Sequence, residues 1–382
     1  MKNLKQPFFF VRAGNQKRNE ISFIFVLSLL LLSQIGCSES NSVSTRTPVI
    51  YSTDLFHPHD DPDDHFDILS LYAIRAFDIK AVILDQGLKQ DERPGDVPLK
   101  QLNSLFGKNI ISGKGLALPL NSPNDKALDQ QAQYQQGVDL LVYTLKQSSQ
   151  PVTVISVGSL RDIAAAWNRF PQLLREKIKR LYCFIGEASL SSFKEYNVEL
   201  DQHAFVSIMN SGLPIYWVPC FDGGLWKNDG SASYWQTKQR HILEGVSNEV
   251  INFFRFALLE PQRVVERENF KEPIRQEQRE KLYRELRNLW GAAVFVHAAG
   301  IPIIEKNGHW FIATQQNKSW SDGNRLFTFE AVRMWVGTDG VVYYDNSEKS
   351  HEIYRFKVVD RVKYQSAMTE ITNDIYRNIK IE

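Results

Sequence analysis

Short, almost wholly apolar runs alternate with amphipathic stretches along most of this chain, and that alternation restricts the fold more than any single residue does. Val49 to Ser52, Ile79 to Leu84, Val152 to Val157, Leu181 to Ile185 and Pro214 to Val218 read as strands. Between them, Asp67 to Phe77, Leu160 to Phe170 and Asp201 to Ser211 carry apolar residues at helical spacing. Strands without polar alternation are buried on both faces, and parallel neighbours need crossover connections. The expectation is an α/β fold, a mostly parallel sheet with helices on both faces. Ligands of such sheets bind beyond the carboxyl ends of the strands, so the loops that follow these runs are where function is sought.

The C-terminal third is less regular. Glu266 to Leu289 reads as a charged helical region, Trp290 to Ala299 as small and apolar, and Trp335 to Tyr344 as a hairpin around Thr338-Asp339-Gly340. With no internal repeat and no second linker, one domain over 48–382 is expected. A net charge of +1 supplies no field toward nucleic acid, and no nucleic-acid partner is expected.

At the N-terminus, Lys17 and Arg18 precede the apolar run Ile21 to Leu32, and Ser33-Gln34-Ile35-Gly36-Cys37 follows. The run is short for a bilayer span and has the charged, apolar, small-residue order of an export signal. Gly36-Cys37 resembles the cleavage site of bacterial lipoproteins, whose cysteine becomes the lipidated first residue, although Gln34 stands where those proteins usually carry Leu. Plain secretion and an uncleaved anchor stay open. The reading is a signal peptide over 1–36, a Ser/Asn/Thr-rich tether over 37–47 and a membrane anchor through lipid at Cys37, on the periplasmic or cell-surface side. Cys183 and Cys220, too few for a disulfide framework, read as buried thiols.

The densest chemistry follows the first strand: Asp54, then His57, His59, Asp60, Asp61, Asp63, Asp64, His65 and Asp67 within a few residues. Carboxylates crowded at one strand end repel each other wherever water is excluded, unless a cation neutralises them. A hard divalent ion such as calcium, which takes six to eight oxygens, is the natural partner. Two other readings stand beside it: a solvated acidic turn favoured by the helix dipole, and an imidazole-based metal site on the three histidines. Trp217, Trp226, Trp235, Trp290 and Trp310 offer faces for stacking on a base or sugar, in a chain whose 23 Phe and 8 Trp mostly serve a core.

Four segments together resemble one family. Tyr51-Ser52-Thr53-Asp54 followed by Asp63-Asp64 is similar to the D-x-D-x-x-x-D-D opening of inosine/uridine-type nucleoside hydrolases. The run from Val152 through Val157-Gly158-Ser159-Leu160-Arg161-Asp162 to Ala166 resembles that family's strand, Gly-Pro-Leu-Thr-Asn turn and helix. Lys194 to Asp201 resembles its Glu-Phe-Asn-Ile-x-x-Asp segment, and Asn210 to Asp222 the strand that comes next. The resemblance implies a hydrolase cleaving the N-glycosidic bond of nucleosides or related ribosides with a calcium-bound water. On it, Asp54, Asp63 and Asp64 with the carbonyl of Val157 would form the calcium site. Asp54 would also take the proton of the attacking water, and Glu195 and Asn197 would bind sugar hydroxyls.

The departures from the family pattern are specific. Ser52 replaces the first aspartate, and the loop before Asp63 is longer, so Asp60-Asp61 competes with Asp63-Asp64 for the metal register. Asp85-Gln86-Gly87 stands where the family has a substrate-binding asparagine, and Arg161-Asp162 where it has Thr-Asn. Leu289-Trp290 stands where a late His-Asp motif supplies another calcium ligand and, in some members, an acid for the leaving base. A non-catalytic ligand-binding lipoprotein on the same scaffold is therefore the alternative function. A homo-oligomer is left open.

Overall fold

The strand runs pair side by side because each is apolar on both faces. In the computed structural model, which describes residues 46–190, 192–314 and 326–381, they are β1 (Thr47–Thr53), β2 (Phe77–Leu84), β4 (Val152–Ser156), β5 (Ile178–Phe184) and β6 (Ile215–Val218), and the short polar β3 (Ser112–Lys114), which the sequence reading did not include, adds an edge beside β2. The ribbons β7 (Trp235–Lys238) with β8 (Leu286–Leu289) and β9 (Ile303–Lys306) with β10 (His309–Ile312) stand apart from the main sheet. Then come β11 (Phe327–Val336), β12 (Val342–Tyr343) and β13 (His351–Val358). The main sheet has nine strands in the order β12-β11-β13-β6-β5-β4-β1-β2-β3. From β13 to β3 every neighbouring pair is parallel; β11 runs antiparallel to β13 and forms the hairpin with β12 through Trp335 and Tyr343.

Side chains alternate across β1, so Val49 and Tyr51 enter one apolar core and Ile50 the other. The first core holds α1 (Asp63–Ala73), through Phe66 and Leu69, and α5 (Gly291–Ala298). The second holds α2 (Arg161–Arg169) and α4 (Gln202–Met209), with the one-turn α3 (Tyr196–Leu200) ahead of it. A parallel sheet clothed by helices on both faces is thus observed.

Two boundaries differ from the sequence reading. The first helix starts at Asp63, four residues early, and Phe77 already belongs to β2. Its acidic first turn has no apolar residue to announce it, and Asp63 and Asp64 suit the positive end of the helix. The region 266–289 is not one helix: a 3₁₀ turn (Arg267–Lys271), a helix (Gln276–Arg284) and β8 divide it. Pro273 breaks it, and Leu286 to Leu289 pairs with β7. The proposed signal peptide, Cys37 and all but the end of the tether lie outside the described residues. No helix among the described residues is long and apolar enough to cross a membrane.

Candidate active site

The carboxyl ends of β1, β4 and β5 open into one cavity of about 470 Å³. Asp54 leaves β1, Val157 leaves β4, Phe184 ends β5, and Glu195 and Asn197 arrive on the turn that opens α3. Asp63 and Asp64 reach the same cavity from the first turn of α1, and Asp67 from the next turn of that helix. All six proposed site residues therefore line one space.

Local hydrogen bonds explain how each is held. The Thr53 hydroxyl donates to Asp64 Oδ1 at 2.6 Å, fixing α1 against the end of β1. Gln86, itself at φ +60°, donates to Asp54 Oδ2 at 3.3 Å. Glu195 caps α3 by accepting the N–H of Asn197 at 3.0 Å and takes the Gly186 N–H at 2.7 Å. The Asn197 amide donates to the carbonyls of Val157 at 3.1 Å and Phe184 at 3.0 Å. Both its protons are spent on the backbone, and only its amide oxygen is left to accept.

The acidic members are poorly compensated. Burial, with repulsion from Asp85, pushes Asp54 up to about 7. Burial and mutual repulsion hold Asp63 and Asp64 well above the usual carboxylate range. Burial alone raises Asp67 to about 8. Asp67 is 7% exposed, and its carboxylate accepts no hydrogen bond among the described residues. Asp60, by contrast, is exposed and ion-paired with Lys89 and Arg93. The structure thus puts the pair Asp63-Asp64, rather than Asp60-Asp61, at the head of the helix.

This donor set fits a hard cation in kind: carboxylate oxygens with little else to neutralise them, plus a carbonyl that retains a second lone pair. It is not a preassembled shell, since no three His, Cys, Asp or Glu side chains among the described residues stand ready around one point. Trp290 contributes to this, for it lines the cavity with an indole and donates its Nε1–H to the Cys220 carbonyl at 2.8 Å.

The remaining candidates separate. Trp226 and Trp290 line the cavity, whereas Trp217, Trp235 and Trp310 are buried outside it. Asp222, the last residue of the fourth segment of the resemblance, does not line it either; its Oδ2 takes the Ser231 N–H at 2.7 Å and shapes a loop. Cys183 and Cys220 are buried free thiols, Cys220 at the cavity wall. Asp85 accepts the N–H groups of Gln86 and Ser159 and the Ser159 hydroxyl, so it braces two loops behind the site. Arg161 forms a buried ion pair with Asp201. Sequence reasoning named Asp67 and Thr53 only as members of the acidic segment and its motif, without a role, and did not mention Phe221; the i, i+3 spacing of Asp64 and Asp67 was the available signal for the first.

This arrangement coincides with a sequence match. The family described as inosine-uridine preferring nucleoside hydrolase matches residues 49–255, more than half of the chain. The chain belongs to this family. The pyrimidine-specific ribonucleoside hydrolase RihA of Salmonella paratyphi A is 27% identical over 187 residues, 44% of this chain and 58% of that enzyme. The match thus spans somewhat more than half the length of this curated relative. Among solved structures, the purine-preferring ribonucleoside hydrolase from Gardnerella vaginalis aligns over 87% of this chain and 100% of its own, with a TM-score of 0.53 and 12% identity. The effector protein XOO4466 aligns over 92% of this chain and 98% of its own, with a TM-score of 0.54 and 14% identity. At those identities the likeness shows a shared fold. The match covers the elements that carry Asp54, Val157 and Asn197, and ends before Trp290.

Proposed function

We propose that this protein hydrolyses the N-glycosidic bond of nucleosides or related ribosides with the help of a divalent cation, Ca²⁺ by the chemistry of the donors. The observation that carries the reading is the meeting of Asp54, Asp64, Val157 and Asn197, from three segments distant in sequence, at the carboxyl end of a parallel sheet in one cavity. Family membership supports the reaction class, and the all-oxygen character of Asp54, Asp63, Asp64 and the Val157 carbonyl supports the metal. When bound there, the cation lowers the pKa of water and offsets the repulsion between carboxylates.

The chain's own groups have separable tasks. Asp54 accepts the proton of the attacking water. The free amide oxygen of Asn197 accepts from a ribose hydroxyl, while its two N–H bonds hold the ends of β4 and β5 in register with the substrate. Glu195, pushed up to about 7 by burial, faces the sugar beside it. The anionic walls stabilise positive charge that develops on the sugar as the C–N bond lengthens.

One observation favours a second reading, a binding protein that has lost turnover: the indole of Trp290 lines the cavity where the family resemblance led to the expectation of a late His-Asp motif. A ribose-release assay on a nucleoside panel, with calcium and with chelator, decides between them. Calcium-dependent release is expected. No release from any riboside would leave only the binding protein. Export and lipid attachment at Cys37 are proposed on the N-terminal sequence; a Cys37→Ser variant is expected in the soluble extracytoplasmic fraction, and retention in the membrane would instead favour an uncleaved anchor.

A further inference from the structure

Among the acids that line the cavity, Glu195 has the fullest set of protein donors. Its Oε2 accepts the Gly186 N–H at 2.7 Å and its Oε1 the Asn197 N–H at 3.0 Å. The Val198 N–H and the Cys220 thiol also donate to this carboxylate. An ionised carboxylate has about four lone-pair sites, and these four donors occupy them. A proton taken up by the carboxylate would displace one of the donors. The side chain is 4% exposed. No acceptor site is left for a sugar hydroxyl, the role that the resemblance to the family implied for this residue.

The bonds made by Glu195 lead instead to Asn197. The Asn197 side-chain N–H groups go to the Val157 and Phe184 carbonyls, which turns its Oδ1 the other way, and that oxygen accepts no hydrogen bond among the described residues. Glu195 grips the backbone of Asn197 and Val198 where α3 begins, and a helix of five residues is too short to keep its own direction without such a hold. Gly186, at φ +82°, gives its N–H to the carboxylate and receives the Cys220 N–H on its own carbonyl at 2.9 Å. The Cys220 carbonyl accepts the Trp290 indole N–H. Cys220 thus engages its N–H, its carbonyl and its thiol at once, and the loops after β5 and β6 are tied to the α3 turn through Glu195.

We propose that Glu195 is a positioning residue: it makes no contact with the substrate and, through the α3 turn, aims Asn197 Oδ1 at a single sugar hydroxyl, with the Cys220 thiol among the donors that hold it. The proposal rests on the hydrolase reading for the reaction it serves, though not for the hydrogen bonding on which it stands. One hydroxyl rather than two is then read by this pair, and it is read as a donor. Cys220 acts as a hydrogen-bond donor, so serine can replace it and valine cannot.

The test crosses four variants with four substrates. For the calcium-loaded full-length protein, kcat and KM are measured on the best riboside and on its 2′-, 3′- and 5′-deoxy analogues, with a thermal melt confirming that each variant folds. In the native protein the loss of one hydroxyl should be costly, and in Asn197→Ala that cost should vanish. Glu195→Gln sets an amide N–H group against N–H donors, and kcat/KM should fall by about tenfold or more. It should erase the cost of the same hydroxyl as Asn197→Ala and leave the costs of the other two unchanged. Cys220→Val should repeat that pattern, and Cys220→Ser should stay within about threefold of the native values. If Glu195→Gln erases the cost of a hydroxyl that Asn197→Ala leaves untouched, Glu195 binds that hydroxyl and the proposal is overturned. Native kinetics in Glu195→Gln or in Cys220→Val would overturn it as well. A native protein that binds ribosides and hydrolyses none sinks the hydrolase reading alone, because the same cycle read as Kd by titration calorimetry must show the same pattern. A protein that neither binds nor hydrolyses any of them overturns both.

Discussion

Two groups of aspartates lie at the same end of this sheet and are treated in opposite ways. Asp201 has each oxygen engaged: Oδ1 accepts the Ala204 N–H at 2.9 Å, and Oδ2 accepts the Leu120 N–H at 2.8 Å and Arg161 Nε at 3.3 Å. Asp85 is likewise surrounded by donors. Across the strand ends, Asp63 and Asp67 have no hydrogen bond to their carboxylates among the described residues, and Asp54 has one long bond from Gln86. The first group is satisfied by protein donors; the second is not, among the described residues. Unmet polar demand inside a cavity, rather than acidity as such, marks the site.

The largest expected effect breaks the comparison at the unsatisfied end. If Asp54 accepts the proton of water, Asp54→Asn keeps its shape and removes the base, and kcat should fall by about 10²–10⁴-fold on the best riboside at saturating calcium. A drop of less than about threefold would remove Asp54 from that role. At the satisfied end the expected loss is in stability. Arg161 and Asp201 are 3% and 0% exposed, so Arg161→Met strands an uncompensated carboxylate and should cost about 3–5 kcal/mol in denaturant unfolding. An unchanged unfolding midpoint would mean that the backbone donors alone satisfy Asp201.

The contrast also explains what the sequence made legible. The parallel sheet was, because each strand had to be apolar on both faces and only that pattern has such runs. Asp54 and Asp64 stood out because carboxylates crowd behind the first strand, Glu195 and Asn197 were named only through the family resemblance, and the structure brings all four to one cavity. The partners that distinguish a satisfied carboxylate from an unsatisfied one come from far away in sequence: Leu120 and Arg161 reach Asp201 across 81 and 40 residues. Asp67 looked like the start of the first helix because nothing local reveals that it packs against Gly291, more than two hundred residues later in the chain. The break at 273 was present in the sequence as a proline, yet the pairing of Leu286 to Leu289 with β7 depends on residues some fifty positions earlier.

The smallest effect sharpens the comparison most, because it concerns a residue with no partner to lose. Burial raises Asp67 to about 8 from the ordinary 3.8. The folded protein therefore binds this proton more tightly than the unfolded chain does, and stability attributable to the group falls as pH rises from about 4 to about 8. Below that window the side chain is neutral in both states and has no penalty; at pH 8 much of the penalty is present. Asp67→Asn has nearly the same shape and cannot ionise, so in chelator at pH 8 it should melt higher than the native chain. At pH 4 the two should melt together. Saturating calcium should shrink or reverse the gain at pH 8, since a bound cation favours the ionised aspartate over the amide. A variant that melts lower than the native chain in chelator at pH 8 would mean that Asp67 already has a partner, and would move it into the satisfied group with Asp85 and Asp201.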